Sequence, residues 1–276
     1  MLQFDPLRWM KAEHNPAART TQPHLPTTTP PHHKTMRHFS TAFALAIAIT
    51  GVAQSTQAPA QGNAPAAKPW LNPALTYGSV TDIDGNTYAT IEIGRQVWMA
   101  ENLRTTRYRN GDTIPTDRDV VWNEAEIRLT GAWCHYRNSP EYEMPYGKLY
   151  NWYALADRRG ICPQGWHVPI NAEWNTLINH LGGEDVAGGK LKSKTLWEVS
   201  KEGGTNTSGF SGLPGGSRSD AIGDYYSLGY IGFWWSASEV GANDDAWYRY
   251  LDNQGAGVGE DGDTKMRGFC LRCVRD

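Results

Sequence analysis

Four cysteines, Cys134, Cys162, Cys270 and Cys273, are the residues of this chain whose chemistry depends most on their spacing. They can pair as disulfides in three ways, and the Cys270–Cys273 spacing also matches a CxxC redox or metal-binding pair. Residues 269–274 alternate as in a strand, and three residues along a strand span roughly 10 Å, beyond the ~7 Å limit for two bridged Cα atoms. The connectivity that joins Cys270 to Cys273 is therefore excluded.

The strand pattern also indicates a partner for Cys273. This cysteine shares the apolar face of its strand, so the partner should lie in the core. Cys162, which precedes the Trp166 segment, is the better candidate. Cys134 then either pairs with Cys270, or both remain free thiols. Closing a loop of this size should stabilise the fold by ~4 kcal/mol.

Three histidines, His135, His167 and His180, follow residue 60, and no pair of them has the spacing of a metal site. His167 lies in an apolar stretch, which favours a hydrogen-bonded structural role. Cys134 and His135 are adjacent in sequence, which does not orient a base towards a thiolate. Residues 209–212 lack the pattern of a serine nucleophile elbow. The sequence thus predicts a protein that is not an enzyme, without a metal site.

Acidic residues offer one further kind of chemistry. Asp82, Asp84 and Asn86 alternate as in a calcium loop, but the later glycine and the distal glutamate of that motif are missing, which favours a plain turn. Residues 243–245 and 260–263 could hold calcium through carboxylate oxygens. Solvated loop acids are the simpler interpretation. No cofactor is predicted, and calcium is the alternative.

Aromatic residues are concentrated between residues 225 and 250. Neighbouring residues of a strand face opposite sides, so Trp234 and Trp235 cannot both point inward on one face. An exposed ring would offer the flat apolar surface that sugar rings and partner proteins bind. The Ser, Gly, Tyr and Asn content of residues 217–230 is typical of adaptable recognition loops, and a tryptophan-rich core is the alternative. The predicted ligand-binding residues are Tyr225, Tyr226, Tyr230, Trp234, Trp235 and Trp247.

The elements that must position these residues follow an α+β order. Alternation predicts strands, and apolar residues at helical spacing predict two helices, the second beginning at an Asn171 cap and ending at Gly182. Strands, two helices, long loops and strands again indicate an α+β fold with antiparallel strands. The predicted elements are a hairpin (87–93 with 96–100), helices (146–157 and 171–181), a long loop-rich region (188–232) and strands (233–238, 246–251 and 268–274).

The N-terminal quarter of the chain has a different character. A basic start at Met36, the apolar run Phe39–Ala53 and small residues after it have the layout of a secretory signal peptide. The run is shorter than the about 20 residues of a membrane span, and a retained anchor is the alternative. We expect residues 1–35 to be a non-native extension or disordered tail, 36–60 a signal peptide, 61–76 a flexible linker and 77–276 one folded domain. An exported protein of this kind would act in the periplasm, at the outer surface or outside the cell.

The charge balance limits the class of partner. Residues 61–276 carry 21 Lys and Arg against 27 Asp and Glu. A mildly acidic domain with scattered charges binds phosphate backbones poorly, so nucleic acid is excluded as a partner. A glycan or a cell-envelope protein remains, and no membrane span is expected after the signal is cleaved.

Seven segments together carry a resemblance to one protein family. They are Thr81–Tyr88, Gln96–Leu103, Tyr146–Tyr153, Cys162–Pro169, Gly209–Gly216, Phe233–Glu239 and Cys273–Asp276. In order and spacing they resemble the Fibrobacter succinogenes major paralogous domain family, over residues 77–276. Cys270 stands where that family usually has serine, which favours the Cys162–Cys273 pair over a Cys134–Cys270 pair.

The resemblance implies a C-type-lectin-like fold, a scaffold shared with formylglycine-generating enzymes and hypervariable phage receptor-binding proteins. It also implies an exported bacterial protein, often surface-associated, in a family whose biochemical role is not established. We therefore expect a secreted or cell-surface, non-catalytic binding or adhesion module for a glycan or protein ligand. The alternatives are an enzyme related to formylglycine-generating proteins and a purely structural surface protein.

Overall fold

The computed structural model describes residues 68–116, 122, 129–198, 203–220, 223–241 and 244–276. All of them belong to the second of two units, Ala67–Asp276. The expected extension and signal peptide, residues 1–60, and residues 61–67 of the expected linker lie outside the described residues. In the described part of the chain, no helix is both long and apolar enough to cross a membrane.

The packed part of this unit starts before Tyr77, where the sequence places the beginning of the domain. Trp70 is buried, with 8% of its surface exposed. Its carbonyl accepts hydrogen bonds from Ser193 Oγ at 3.1 Å and Asn206 Nδ2 at 3.2 Å. Residues 68–76 therefore contribute to the fold, although their composition is that of a linker.

The first sheet contains five strands and is antiparallel throughout. The predicted hairpin is confirmed, with pairs from Thr90 opposite Met99 to Ile93 opposite Gln96. The last strand of the chain pairs beside this hairpin, so the beginning and the end of the described unit share one sheet. The strands are β1 (Gly78–Thr81), β2 (Thr87–Ile93), β3 (Gln96–Met99), β12 (Val274–Arg275) and β6 (Trp166–His167), in that spatial order.

The second sheet is built mainly from the C-terminal half of the chain. In spatial order its strands are β11 (Gly259–Thr264), β10 (Asp245–Asp252), β9 (Ile231–Glu239), β7 (Gly215–Arg218) and β8 (Tyr225–Leu228). Only β7 and β9 run parallel among these neighbours. Strands β7 and β8 lie within the region predicted to be loop-rich. A separate pair joins β4 (Trp133–Cys134) to β5 (Leu149–Tyr150).

Four α-helical segments among the described residues complete the mixed α+β architecture that the sequence predicts. The first predicted helix is shorter than expected and begins after Asn151, whose side chain accepts a hydrogen bond from the Ala154 amide. The second is confirmed, but its cap is Ile170, whose amide donates to Glu173 Oε2 at 2.9 Å. The segments are α1 (Glu143–Tyr146), α2 (Trp152–Ala156), α3 (Asn171–His180) and α4 (Glu184–Leu191).

Part of helix α4 lies in the region that is predicted to be loop-rich. The sequence does not predict this helix because its glycines disfavour a helix on intrinsic propensity. Tertiary packing requires one of them. A Cβ atom on Gly188 would lie 2.0 Å from the carbonyl oxygen of Gly257. The close approach is fixed by a hydrogen bond from the Gly189 amide to the Ala256 carbonyl at 2.9 Å.

Aromatic rings fill the space between the sheets and helices. Trp98 of β3 and Trp174 of α3 have ring centroids 4.8 Å apart, and Phe210 lies 5.9 and 6.0 Å from them. A second cluster joins Trp235 of β9 to Phe269 at 4.5 Å. The tryptophan-rich core, the alternative to an aromatic binding strand, is therefore present.

A buried cation lies among these rings. Arg272 is fully buried, and its guanidinium lies 4.0 Å from the Phe210 ring centroid. It donates to Asn102 Oδ1 at 3.0 Å, to the Met99 carbonyl at 3.2 Å, to the Ser211 carbonyl at 2.9 Å and to the Phe210 carbonyl. One side chain thus joins the end of the hairpin, the loop before β7 and the C-terminal segment.

The predicted disulfide between Cys162 and Cys273 is present, with Cα atoms 6.0 Å apart and a sequence separation of 111. It joins the segment before β6 to the residue before β12. Because both strands belong to the first sheet, the covalent bond and the hydrogen bonds of the sheet hold the same two parts of the chain together.

Cys134 and Cys270 are buried and neither takes part in a disulfide, so the alternative in which these two cysteines do not pair is confirmed. Strand register explains why they do not pair. Cys134 is opposite Leu149, and the next residue of that strand, Tyr150, is opposite Phe269. The β5 strand therefore separates the two cysteines. Two strand spacings are about 9.6 Å, beyond the ~7 Å reach of a disulfide.

Removing the disulfide should destabilise the protein. The Cys162→Ala/Cys273→Ala variant should lose about 2–5 kcal/mol of unfolding free energy, since its unfolded chain regains the freedom of a long loop. Urea denaturation followed by tryptophan fluorescence measures this loss. Reduction of the wild-type protein should reproduce it, whereas the same reductant should leave the double variant unchanged. Equal midpoints for oxidised and reduced wild type would contradict the prediction.

Candidate functional site

The two central tryptophans of the predicted binding set lie in the core. Trp234 is 1% and Trp235 0% exposed, so neither ring offers the exposed apolar surface on which its predicted role in binding depends. Alternation does send them to opposite faces of β9, but each face is covered. Trp234 packs against Phe210 at 6.0 Å and Trp235 against Phe269 at 4.5 Å. Both rings are therefore core side chains in this fold.

Trp247 is half-buried but lies elsewhere on the sheet. It stands on β10 opposite Gly262 of β11. Strands β9 and β7 lie between it and β8, which carries Tyr225. Three strand spacings correspond to about 14 Å, so Trp247 and the tyrosines of β8 do not form one cluster.

Tyr225 is the predicted residue around which a surface assembles. Its ring lies 5.2 Å from that of Tyr136, which lies 5.3 Å from that of Tyr142, both edge to face. Its hydroxyl donates to Asn138 Oδ1 at 3.0 Å. Tyr136 is buried, while Tyr142 and Tyr225 are half-buried. Two partly exposed tyrosines therefore rest on a third that is fixed in the protein.

Two more tyrosines lie on or next to the same segments. Burial raises the pKa of Tyr146, and the charges of Glu198 and Tyr142 raise it further. The Glu198 amide donates to the Gly229 carbonyl at 2.8 Å, next to Tyr230, which is 49% exposed. We use the name tyrosine surface for Tyr142, Tyr146, Tyr225 and Tyr230, of which Tyr142 and Tyr225 pack on buried Tyr136.

Tyr226 does not join the tyrosine surface. It follows Tyr225 on the same strand, so its side chain points to the opposite face of β8. Its hydroxyl donates to Asp224 Oδ2 at 3.3 Å. The structure thus separates two residues that the sequence places in one set.

The sequence prediction missed Tyr136, Tyr142 and Tyr146, which lie in the loop between β4 and β5. A signal was available, because Asn138-Ser139-Pro140 stands between these tyrosines and gives the loop the composition of residues 217–230. Such mixtures of tyrosine with small polar residues are typical of recognition loops. The composition does not predict that this loop packs against β8.

A carboxylate fastens the two ends of this loop. Glu143 Oε2 accepts from His135 Nε2 at 2.6 Å and from Lys148 Nζ at 2.7 Å. The hydrogen bond from His135, supported by Lys148 and opposed by burial, lowers the pKa of Glu143 to about 2. Lys148 is buried, and its ammonium lies 4.8 Å from the centre of the Trp133 ring. The loop that carries Tyr142 and Tyr146 is therefore held by electrostatic contacts as well as by packing.

His167 has the hydrogen-bonded structural role predicted for it. Its Nδ1 lies 2.7 Å from Asp276 Oδ1 and its Nε2 2.8 Å from Glu173 Oε1. Burial alone would lower the pKa of His167, but the hydrogen bonds to Asp276 and Glu173 raise it above its ordinary value. Both ring nitrogens are engaged in joining the C-terminus to helix α3.

The alternating acids Asp82 and Asp84 form a turn held by protein donors. Asp82 accepts hydrogen bonds from the amides of Asp84 and Asn86, both at 2.9 Å, and from the Tyr88 hydroxyl at 2.5 Å. Among the described residues, no three His, Cys, Asp or Glu side chains form a group that could hold a metal. Asn243 of the second acidic stretch lies outside the described residues.

The acidic residues 260–263 belong to β11, which is an edge strand. Glu260 pairs with buried Arg249, and Asp263 pairs with Arg267 at 3.1 Å. Charged side chains on an edge strand also discourage pairing with another chain. Glu260 and Asp263 are therefore paired with arginines, and the charged strand protects the edge of the second sheet.

The pH dependence of stability should reveal the Glu143 contact. Its pKa is about 2 in the folded protein, below the ordinary 4.5, so its contribution is present above pH 4.5 and lost as pH falls through 2. Glu143→Gln should remove on the order of 1–2 kcal/mol at pH 7, since solvent screens part of the interaction. Denaturation between pH 2 and 7 measures this. Exposed Glu141→Gln, in the same loop, is the control, and an equal pH slope in both variants would disprove the assignment.

One protein-family model matches the part of the chain that contains most of these features. The model of the Fibrobacter succinogenes major domain matches residues 91–275, more than half of the 276-residue chain. No curated protein and no solved structure gave a match. The matched range includes the disulfide and every residue of the tyrosine surface. The chain therefore belongs to the Fibrobacter succinogenes major domain family.

Proposed function

We propose that this protein is an exported, non-catalytic binding module that holds a cell-envelope glycan or protein on the tyrosine surface. The observation that carries the proposal is the packing of half-buried Tyr142 and Tyr225, which come from different segments, on buried Tyr136. Tyr142 and Tyr146 come from the loop after β4, Tyr225 from β8 and Tyr230 from the turn before β9.

Tyrosine suits this task for physical reasons. Its ring offers a large contact area with only two side-chain torsions to restrict, and its hydroxyl both donates and accepts hydrogen bonds. Packing on Tyr136 and the Glu143 contacts reduce the freedom of the surface before any ligand arrives. Such preorganisation strengthens binding because less entropy is lost on association.

The proposed fold is C-type-lectin-like, and the proposed location is beyond the inner membrane. The order of hairpin, helices α2 and α3, long loop and second sheet agrees with that fold. The disulfide is compatible with an oxidising compartment, and the signal-like residues 36–60 supply a route to it.

The features of the cysteines favour binding over the alternative of an enzyme related to formylglycine-generating proteins. Such an enzyme would need a reactive cysteine pair near the C-terminus, but Cys273 is bonded to Cys162. Burial raises the pKa of Cys270 to about 12, which keeps it a thiol at neutral pH. A thiol is a poor nucleophile compared with a thiolate.

Thiol labelling of the native protein distinguishes these two functions. We expect iodoacetamide to leave Cys134 and Cys270 unmodified at pH 8, since both are buried, and to modify both after unfolding without reductant. Mass spectrometry of the intact protein counts the labels. Rapid native modification of Cys270 or Cys273 would support the enzyme and contradict the binding module.

Alanine variants test the tyrosine surface. Binding hits would be sought on a glycan array and among outer-membrane proteins of the host, and their affinities measured by biolayer interferometry. Tyr142→Ala and Tyr225→Ala should each weaken a hit at least about tenfold, as removal of a central aromatic contact does. Tyr226→Ala, on the opposite face of the same strand, is the matched control and should change affinity less than about twofold.

Thermal denaturation would confirm that each tyrosine variant is folded. A hit that depends equally on Tyr226 would place the ligand elsewhere on the domain. Absence of any hit in both screens would remove the support for a binding function and favour a purely structural surface protein.

A further inference from the structure

A cleft of about 270 Å³ opens beside the disulfide, apart from the residues of the tyrosine surface. Its walls are the β1–β2 turn at residues 81–83, the side chain of Arg109 and residues 161–164. The volume is just below the roughly 300–1,000 Å³ of pockets for drug-sized ligands, which suits a single sugar ring or a molecule of that size.

Each wall is held by contacts of its own. The Asp82 hydrogen bonds fix the turn, and the Cys162–Cys273 bond fixes the segment at residues 161–164. The turn that carries Arg109 is locked to the neighbouring turn, because the Arg109 amide donates to the Gly160 carbonyl at 2.8 Å. Arg159 pairs with Asp112 across the same two turns at 3.0 Å. The cleft is therefore preorganised.

Arg109 gives this cleft a positive charge and hydrogen-bond donors that a ligand could use. It is exposed, and its side chain forms no hydrogen bond or ion pair with any residue in the part of the chain that the structure describes. Its guanidinium lies against Gly160, where a Cβ atom would be 2.5 Å from Nη2. The guanidinium can occupy this position only because residue 160 has no side chain. By contrast, nearby Arg107 and Arg159 are each paired with aspartates.

The other polar groups of the cleft agree with an acceptor-bearing ligand. Asp82 carries the opposite charge, but both of its carboxylate oxygens already accept protein hydrogen bonds. Gln164 and Thr81 provide an amide and a hydroxyl, and Ile83, 43% exposed, provides an apolar wall. Arginine offers five N–H donors and no acceptor, and its planar fork matches a carboxylate.

We propose that this cleft binds the carboxylate of a sugar acid, such as a hexuronate residue of an acidic glycan, through Arg109. Ring hydroxyls would contact Gln164 and Thr81, and the apolar face of the sugar would lie on Ile83 and Pro163. The site is independent of the tyrosine surface, because it shares no residue with it. A peptide carboxylate is the competing ligand, but capture of a chain end usually uses a nest of backbone amides rather than one side chain.

Titration of the ¹⁵N-labelled protein with sodium glucuronate tests the proposal, with glucose as the neutral match and N-acetylglycine as the peptide-type carboxylate. Glucuronate should shift the Gly160 amide and Gln164 side-chain signals with a Kd on the order of 1 mM, as expected for one sugar ring. Arg109→Gln should weaken binding at least about tenfold, because it removes a strong charge-assisted contact. Exposed Arg158→Gln, which does not line the cleft, should bind as wild type does.

Several results would overturn the site. They are no saturable shift with glucuronate, equal shifts with glucose, unchanged binding by Arg109→Gln, or tighter binding of N-acetylglycine than of glucuronate. Gly160→Ala gives a second test, since a methyl group there would displace the guanidinium and should weaken binding without removing the charge. Loss of binding to the tyrosine surface in the alanine variants would leave this titration unchanged.

Discussion

The structure depends on the backbone hydrogen bonds of its last eight residues, which join both sheets. Phe269 exchanges hydrogen bonds with Tyr150, and the Cys270 amide donates to the Phe233 carbonyl at 3.2 Å. The carbonyls of Leu271 and Cys273 accept from Leu103 and Met99. Buried backbone groups must be paired, so this segment cannot leave without exposing unsatisfied groups on several elements. The disulfide and the buried guanidinium of Arg272 fix the same segment from either side.

Arg272 explains how a loop-heavy domain holds its loops. Burial lowers the pKa of its guanidinium to about 9, and in place of an acid it finds carbonyl groups at Met99, Phe210 and Ser211. Those carbonyls come from segments that form no regular ladder with each other there. A planar group with several donors can satisfy all of them, whereas an apolar residue would leave each one unpaired. The inner end of the long loop is thereby fixed, and its outer parts are available to present Tyr225 and Tyr230.

Sequence reasoning reached the features that local chemistry decides. The hairpin, helix α3 and the Cys162–Cys273 bond follow from alternation, helical spacing and strand reach. It did not reach those that distant packing decides. Alternation places Trp234 and Trp235 on opposite faces, yet it does not reveal that another layer covers each face. Likewise Gly188 weakens a helix locally, and only the approach of the chain at residue 257 shows why glycine is needed there.

Carboxylates organise the surface loops in the same manner that Arg272 organises the core. Burial alone would raise the pKa of Asp84, but hydrogen bonds from Thr106 and Arg107 lower it to about 2. Asp84 thus ties the β1–β2 turn to the chain leading to Arg109, as Glu143 ties both ends of the tyrosine-bearing loop. Each of these acids accepts hydrogen bonds from residues elsewhere in the chain, so its negative charge holds the loop in one conformation. Both proposed ligand sites therefore stand on loops that the protein has already fixed, which is the condition for recognition by irregular structure.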